Sequence, residues 1–323
     1  MRIAVALCTR NGARYVGEQI ASILDQERRV DRIVLSDDAS TDGTADLVIA
    51  AVGDRGPSAP ELTVFRNDPP LGVVRNFSQA IAAAGADLVA LCDQDDVWEA
   101  DRIERIAARF ESEPDLLCSF SDAQLIDDDG QPLGASLFGR LEVGPRELGA
   151  IRAGEAFPVL LRRNLATGAT MVFRRELFEA AAPLPSEWVH DEWLALVAAA
   201  LDGLGVEEAP LTRYRIHSAN TIGVVEPTLG HKVRRVLQPR SDRNAGLARR
   251  SAVLARRLAA LGVSAETERA ARRKAVFEAR RARLPRARLL RVAPVVLLAA
   301  TGDYRRYASQ GALDIVRDLL QPA

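Results

Sequence analysis

Leu88-Val89-Ala90-Leu91-Cys92 runs directly into Asp93-Gln94-Asp95-Asp96, and Gly85 punctuates the chain just before it. Five apolar residues are too few for a helix and suit a strand buried on both faces, the habit of a parallel sheet. Such a strand obliges the chain to cover both faces of its sheet with helices. The acids then stand at the carboxyl end of the strand, where open α/β sheets take ligands. Asp93 and Asp95 are two residues apart, so on an extended backbone they point the same way. Mg²⁺ is commonly held by one or two carboxylates, with substrate phosphates completing its shell. Read alone, this acidic stretch serves equally as a divalent-cation site or as a solvated loop.

The same joint of strand and polar loop recurs upstream. Ile3 to Cys8 reads as a first strand, broken by Thr9-Arg10-Asn11-Gly12, after which Val16, Ile20, Ile23 and Leu24 share a helical face. Arg32 to Ser36 is a second strand, ending in Asp37-Asp38-Ala39-Ser40-Thr41-Asp42-Gly43. Ala45 to Val52 reads as a helix, Leu62 to Phe65 as a strand, and Val73 to Ala84 as a helix with Phe77 and Ile81 inward. A helix from about Asp101 to Glu111 and a strand from Leu116 to Phe120 follow the central strand. Strand and helix alternate, which predicts parallel βαβ units with right-handed crossovers. The loops after strands one, two and four therefore share one sheet edge.

Neither G-x-x-x-x-G-K-[ST] nor a G-x-G-x-x-G after a strand occurs, so a nucleotide here relies on side chains and a metal. Asp38 to Gly43 partly imitates a calcium loop, but its twelfth position is Ile49, where Glu is needed. Asp127-Asp128-Asp129-Gly130 reads as a solvated turn. From Leu133 to Thr167 the pattern weakens to an irregular segment with helices around Glu147 and Phe157, a length typical of lids. Ala169 to Phe173 resumes a strand. Trp188-Val189-His190-Asp191-Glu192-Trp193 opens a helix through about Leu201, with Asp191 near its amino end as a cap or a functional acid. Leu211 to His217 alternates like a strand and ends in Ser218-Ala219-Asn220, leaving His217 at the tip as a structural imidazole or a ligand.

The formal net charge of −1 hides a division. Residues 1–230 hold 37 acidic and 21 basic side chains, a balance of −16; residues 231–323 hold 7 and 22, a balance of +15. The basic region suits an anionic partner. Cys8, Cys92 and Cys118 lie in or at the end of apolar runs without a C-x-x-C pair, which favours buried free thiols and a reducing compartment. The apolar run after Met1-Arg2 is too short for a signal peptide, and Val292 to Ala300 is too short, with Pro294 inside it, to span a bilayer.

Taken together, these pieces resemble the family 2 glycosyltransferases of the GT-A fold, most closely their bacterial rhamnosyltransferase-like members. The resemblance covers about residues 1–225. Thr9-Arg10-Asn11-Gly12 is similar to the family's T-Y-N-G, and Gln19 to Gln26 to its Q-x-x-S-I-L-x-Q helix. Asp37 to Thr44 is close to D-D-G-S-T-D-G-T, Gly72 with Arg75-Asn76 resembles G-x-x-x-A-R-N, and Asp93 to Asp96 resembles D-x-D-D. His190-Asp191 stands where the family has E-D, and Tyr214-Arg215-Ile216-His217 with Asn220 resembles Y-R-x-H-x-x-N.

The resemblance implies an inverting transferase whose catalytic domain is 1–227, with a donor half about 1–125 and an acceptor half about 126–227; charge and helical patterning, not the resemblance, mark a basic helical region over 228–323. It implies that Thr9, Arg10, Asn11, Asp38, Arg75, Asp93 and Asp96 contact a nucleotide-diphosphate sugar. It implies Mg²⁺ or Mn²⁺ at Asp95, with His217 as a second ligand or diphosphate contact, and Asp191 as general base. Arg10 replaces the Tyr that often stacks on the base, and a guanidinium can also stack. The acceptor implied is a glycan or a lipid-linked chain in cell-surface polysaccharide assembly, with rhamnose among the candidate sugars. Other classes are a sugar nucleotidyltransferase, for which Arg10-Asn11-Gly12 is a poor triphosphate loop, and a non-catalytic membrane-surface protein.

The basic region offers a second partner. Leu247, Leu254, Leu258 and Leu261 form one helical stripe among arginines, Arg280 to Arg291 is dense in charge, and Tyr304 and Tyr307 flank Arg305 and Arg306. Such segments suit an anionic membrane interface, or else pack as a helical bundle. The expectation is a cytoplasmic protein, peripheral at the inner face of the membrane, with no nucleic-acid partner.

Overall fold

The computed structural model describes residues 1–217 and 242–322. Ser218-Ala219-Asn220 and the expected boundary near 227 lie outside the described residues. The chain divides into two compact units, the first over 1–154, 165–198 and 202–217, and the second over 155–164, 199–201 and 242–322 among the described residues.

The first unit opens with β1 (Ile3–Thr9), α1 (Val16–Leu24), β2 (Arg32–Asp37), α2 (Thr44–Gly53), β3 (Glu61–Arg66), α3 (Val73–Ala83) and β4 (Leu88–Cys92). All residues of β1 and β4 are buried, as an uninterrupted apolar run requires of a strand covered on both faces. The order β3-β2-β1-β4 is parallel throughout, with Val5 opposite Ile33 on one side and Ala90 on the other. Val16, Ile20 and Ile23 of α1 and Phe77 and Ile81 of α3 are buried against this sheet, as their spacing predicts. Loops after β1, β2 and β4 consequently share its carboxyl edge.

Beyond β4 the strand directions mix. Next come β5 (Val97–Trp98), α4 (Arg102–Ser112), β6 (Cys118–Ile126), β7 (Pro132–Ser136), α5 (Leu137–Arg140), α6 (Pro145–Arg152), α7 (Ala156–Arg162), β8 (Val172–Arg174), α8 (Arg175–Ala181), α9 (His190–Ala200) and β9 (Leu204–Arg215). The nine-stranded sheet continues β4-β8-β6-β9-β5, with β7 hydrogen-bonded to β6. The parallel alternation expected through Phe120 gives way here: β8, only three residues long, inserts antiparallel between β4 and β6. β6 extends six residues past Phe120, to Ile126, and pairs in parallel with β9 across a register shift at Asp122. β9 then pairs antiparallel with β5, Val97 opposite Arg213. That last pairing brings the residues after Arg213 back to the acidic loop between β4 and β5.

The second unit is helical: α7 with α10 (Arg243–Leu261), α11 (Ala265–Ala282), α12 (Arg288–Ala300), α13 (Asp303–Tyr307) and α14 (Ala312–Leu320). Ser264 caps α11, accepting from Thr267 N, and Gly262 at φ 67° closes α10 in the left-handed conformation that glycine adopts most readily. Leu254 and Leu258 of the predicted stripe are buried in the bundle, and so are Tyr304 and Tyr307, so these residues serve packing and not an interface. Among the described residues no helix is long and apolar enough to cross a membrane.

Charge lies at the centre of this bundle. Arg281 Nε and Nη2 donate to Asp318 Oδ2 and Oδ1 at 2.7 and 3.2 Å, and Nη1 donates to Glu278 Oε2 at 3.0 Å. Tyr304 Oη donates to Asp318 Oδ2 at 2.7 Å, and Lys274 Nζ donates to Glu278 and to Tyr307 O. Arg291 donates to the carbonyls of Pro285, Arg286 and Gln321. A buried pair contributes little against an apolar replacement, but removing one member strands the other charge at about 3–5 kcal/mol. Asp318→Ala should therefore accelerate amide exchange in α11 and α14 by roughly a hundredfold or more, since each 1.4 kcal/mol is about tenfold. Amides of β1 and β4 should be unaffected; unchanged exchange in α11 would show that the network is not what holds the bundle.

Candidate active site

The first loop is built almost wholly by side-chain to backbone hydrogen bonds. Gln94 Oε1 accepts from Arg10 N at 2.7 Å, and Gln94 Nε2 donates to Arg10 O at 3.1 Å, so the acidic loop grips both backbone groups of one residue in the loop after β1. A Cβ at Gly12 would lie 2.3 Å from Gln94 Cδ, which is why glycine stands there. Asn11 N donates to Ser40 Oγ and Asn11 Oδ1 accepts from Thr41 N, while Gly12 N donates to Thr44 Oγ1. Thr9 Oγ1 donates to Asp37 Oδ1 at 2.6 Å. Asp38 Oδ1 and Oδ2 accept from Leu71 N and Gly72 N at 2.6 and 2.9 Å, fixing the start of α3. Ala39 sits at φ 62°, a left-handed position that costs an alanine about 1–2 kcal/mol.

The acidic loop is organised by one arginine. Arg215, 1% exposed, donates from its backbone N to Asp96 Oδ1 at 2.9 Å and from Nε to Asp95 O at 2.8 Å. Its Nη1 reaches the carbonyls of Asp127 and Asp128 at 3.2 and 3.0 Å, and its Nη2 pairs with Glu18. Tyr15 lies against this guanidinium at 5.0 Å, donates its hydroxyl to Asp128 Oδ1 at 2.7 Å, and stacks on His217 at 4.8 Å and 24°. The expected solvated turn at Asp127 to Gly130 is thus tied to three residues of the site wall: Arg14, Tyr15 and Arg215. Two residues beyond Arg215, His217 Nε2 lies 2.8 Å from Asp95 Oδ2.

Negative charge is left in excess. Burial, then the neighbouring Asp95 and Asp191 carboxylates, push Asp93 up to about 7. Asp96 is raised well above the carboxylate range by burial and then by Asp95 and Asp93, although the Arg215 N–H opposes the shift. Asp96 Oδ2 is buried without a hydrogen-bond partner among the described residues. Among the same residues no group of three His, Cys, Asp or Glu gathers as a closed metal cage. The donors at Asp95 and His217 are a carboxylate and an imidazole, a pair that fits a divalent cation whose remaining positions are open to phosphate oxygens.

Asp191 occupies the first turn of α9, where the helix dipole favours an anion. Its Oδ2 accepts from Gly168 N at 2.9 Å and its Oδ1 from Glu192 N at 2.6 Å. A Cβ at Gly168 would come within 3.4 Å of that carboxylate and 3.3 Å of His190 Nε2. His190 is 5% exposed and stacks on Phe77 at 3.9 Å and 16°. Neither of its ring nitrogens has a hydrogen-bond partner among the described residues.

The structure therefore brings Asp93, Asp95, Asp96 and His217 together at the end of β4, with Asp191 close enough to raise Asp93. Arg10 and Asn11 flank them through Gln94, and both are exposed. Arg75 is exposed on the first turn of α3. Thr9 and Asp38 are buried and engaged by the framework. Sequence reasoning passed over Gln94, Tyr15 and Arg215; the spacing of Arg215 two residues before His217 on a strand was the available signal.

His190 gives a measurable signature. Burial holds its pKa below 6.5, and Asp191 offsets this only in part, so the folded state keeps the ring neutral where the unfolded chain protonates it. Stability tied to this residue is present above about pH 6.5 and is lost as the pH falls toward the depressed folded value. Melting temperatures between pH 7.5 and 5 should fall more steeply for the wild type than for His190→Gln; parallel curves would contradict a buried neutral ring.

The glycosyl transferase family 2 model matches residues 4–180. An uncharacterized glycosyltransferase of Nostoc sp. is 29% identical over 228 residues, covering 68% of this chain and 66% of its own length. The putative teichuronic acid biosynthesis glycosyltransferase TuaG of Bacillus subtilis is 29% identical over 133 residues, covering 41% of this chain and 50% of that protein. The chain thus spans about half to two thirds of the length of these curated relatives. Residues 1–349 of S. aureus TarS, in complex with UDP-GlcNAc, align at a TM-score of 0.55 and 16% identity over 99% of this chain and 90% of that one. The mannosyltransferase PcManGT of Pyrobaculum calidifontis, in complex with GDP-Man and Mn²⁺, aligns at 0.51 and 20% over 98% and 85%. At such identities the likeness shows the fold, which is the GT-A arrangement of a mostly parallel sheet flanked by helices. Because the family model takes in more than half of the residues, this chain belongs to glycosyl transferase family 2.

Proposed function

We propose that this protein is an inverting, metal-dependent glycosyltransferase that moves a sugar from a nucleoside-diphosphate donor to a hydroxyl of a glycan or lipid-linked acceptor in cell-surface polysaccharide assembly. The observation that carries the reading is the meeting of the Asp93–Asp96 loop, His217 and Asp191 around one sheet edge. The putative teichuronic acid biosynthesis role of the Bacillus relative and the nucleotide sugars bound by the two structural neighbours support it. Rhamnose is one candidate for the donor sugar, from the sequence resemblance. In this reading residues 1–227 are catalytic, the donor side lying in about 1–125 and the acceptor side in about 126–227, and residues 228–323 carry the basic helices to an anionic membrane at its cytoplasmic face.

Asp95 and His217 would hold Mg²⁺ or Mn²⁺ together with diphosphate oxygens. The ion, when bound, would supply Lewis-acid stabilisation of the departing diphosphate. Asn11, Thr9 and Asp38 shape the nucleoside subsite, the last two by fixing its loops. Arg10 and Arg75, both exposed cations, are placed to meet the base and the phosphates. Asp93 contacts the donor sugar or ribose, and Asp96 holds the loop through the Arg215 N–H. Asp191 takes the acceptor proton on a carboxylate oxygen that Gly168 and Glu192 orient. As the acceptor oxygen bonds to the anomeric carbon, the bond to the diphosphate oxygen breaks on the opposite face. That displacement inverts the anomeric centre without a covalent enzyme intermediate.

Donor turnover measured against Mn²⁺ or Mg²⁺ tests the reading. Asp95→Ala should lose at least a hundredfold in metal-dependent turnover with its melting temperature nearly unchanged, because a loop carboxylate contributes little packing. Wild-type turnover at saturating donor would remove the metal assignment. Asp191→Asn should lower transfer by roughly 10²–10⁴-fold, the usual contribution of a positioned base. Calorimetry should find its donor affinity near normal; loss of donor binding would place Asp191 in the donor subsite and the base elsewhere.

A further inference from the structure

Helices α12 and α14 of the second unit pack on one another and both turn large apolar side chains outward. On α12 the buried side chains are Arg291, Val295 and Leu298, while Leu289 is 88%, Leu290 65%, Val296 57% and Leu297 69% exposed. On α14 the buried side chains are Asp314, Arg317 and Asp318, and Leu313, Val316 and Leu320 are 46%, 42% and 50% exposed. This inverts the usual pattern, in which a surface helix turns its apolar stripe to the core. The arrangement is stable inside because Arg281, Tyr304 and Asn244 satisfy Asp318, and backbone carbonyls satisfy Arg291. Outside, the two packed helices leave these seven large apolar side chains between 42% and 88% exposed, the kind of exposure that marks an interaction site when it clusters.

Charge selects the occupant. Arg286 and Arg288 are exposed immediately before Leu289, and Arg305 and Arg306 are exposed on α13 between the two helices in sequence. Residues 231–323 carry +15. A second copy of the same face would bring two such surfaces into mutual repulsion, whereas an anionic lipid surface attracts them. With 13 residues, α12 is about 20 Å long, short of the roughly 30 Å hydrocarbon core, so it lies on the membrane and does not span it.

We propose that the outward face of α12 and α14 is the membrane-docking face of this protein, inserting Leu289, Leu290, Val296 and Leu297 among the acyl chains of an anionic leaflet while the arginines meet headgroups. The proposal deepens the membrane reading given above and rests on it. It assigns the contact to residues other than Leu254 and Leu258 of α10 and the two tyrosines, which the bundle buries.

Co-sedimentation of the full chain with vesicles of phosphatidylglycerol and phosphatidylcholine, and of phosphatidylcholine alone, tests it at low and high salt. The wild type should bind the anionic vesicles, more weakly at high salt, and the double variant Leu289→Asp with Leu297→Asp should bind at least tenfold less. Donor turnover should be the same in both proteins, so that an inactive wild type that binds vesicles counts against the enzymatic reading alone. Equal binding by wild type and variant, or no binding by the wild type, overturns the proposal. So does a wild-type dimer in sedimentation velocity that the variant abolishes without any vesicle binding. A milder variant guards against misfolding: Cys8, Cys92 and Cys118 are buried and free, so Leu297→Cys can be labelled selectively with an environment-sensitive fluorophore. Its emission should shift to the blue on adding anionic vesicles, and an unshifted spectrum also overturns the proposal.

Discussion

Arg215 is the interaction on which the site depends. One buried guanidinium and its own backbone N–H hold Asp95, Asp96, the turn at Asp127 and Asp128, and Glu18 of α1. Carboxylates crowded at a strand end repel one another and, left alone, would splay. The Arg215 fork fixes the loop backbone at Asp95, Asp127 and Asp128 while its N–H takes one oxygen of Asp96, so the chain around the carboxylates is held in place. The arrangement demands a strict register: β9 must arrive antiparallel to β5 with Arg213 opposite Val97, or the fork misses the loop.

Charge placement gives the two units contrasting interiors. In the first, an apolar sheet carries its uncompensated acids to one edge, and burial with mutual repulsion raises Asp93 and Asp96. Under the proposed function, a cation bound there would relieve a cost already present in the fold. In the second, opposite charges cancel inside the bundle, at Arg281 with Glu278 and Asp318. The chemistry and the polar core thus use the same residue types in opposite ways.

Much of this was legible in the sequence. Uninterrupted apolar runs marked β1, β2 and β4, and polar loops directly after them placed Asn11, Asp38 and Asp95 on a common edge. The antiparallel insertion of β8 was not legible, since three residues carry no period and long-range pairing decides them. Arg215 was legible as part of a motif but not as the organiser of the acidic loop, because Arg supplies most of the 43 basic residues and composition hides a buried one. Helix α14 shows the limit of amphipathicity: the period identifies two faces, but only the ion pairs at Asp318 decide that the polar face turns inward.

The double hydrogen bond between Gln94 and the Arg10 backbone has a mechanical consequence. It joins the loop after β1 to the loop after β4, and Asn11, through Ser40 and Thr41, adds the loop after β2. Three segments far apart in sequence are thereby tied to one another by side-chain hydrogen bonds, a linkage between the loops that does not run through the sheet beneath them.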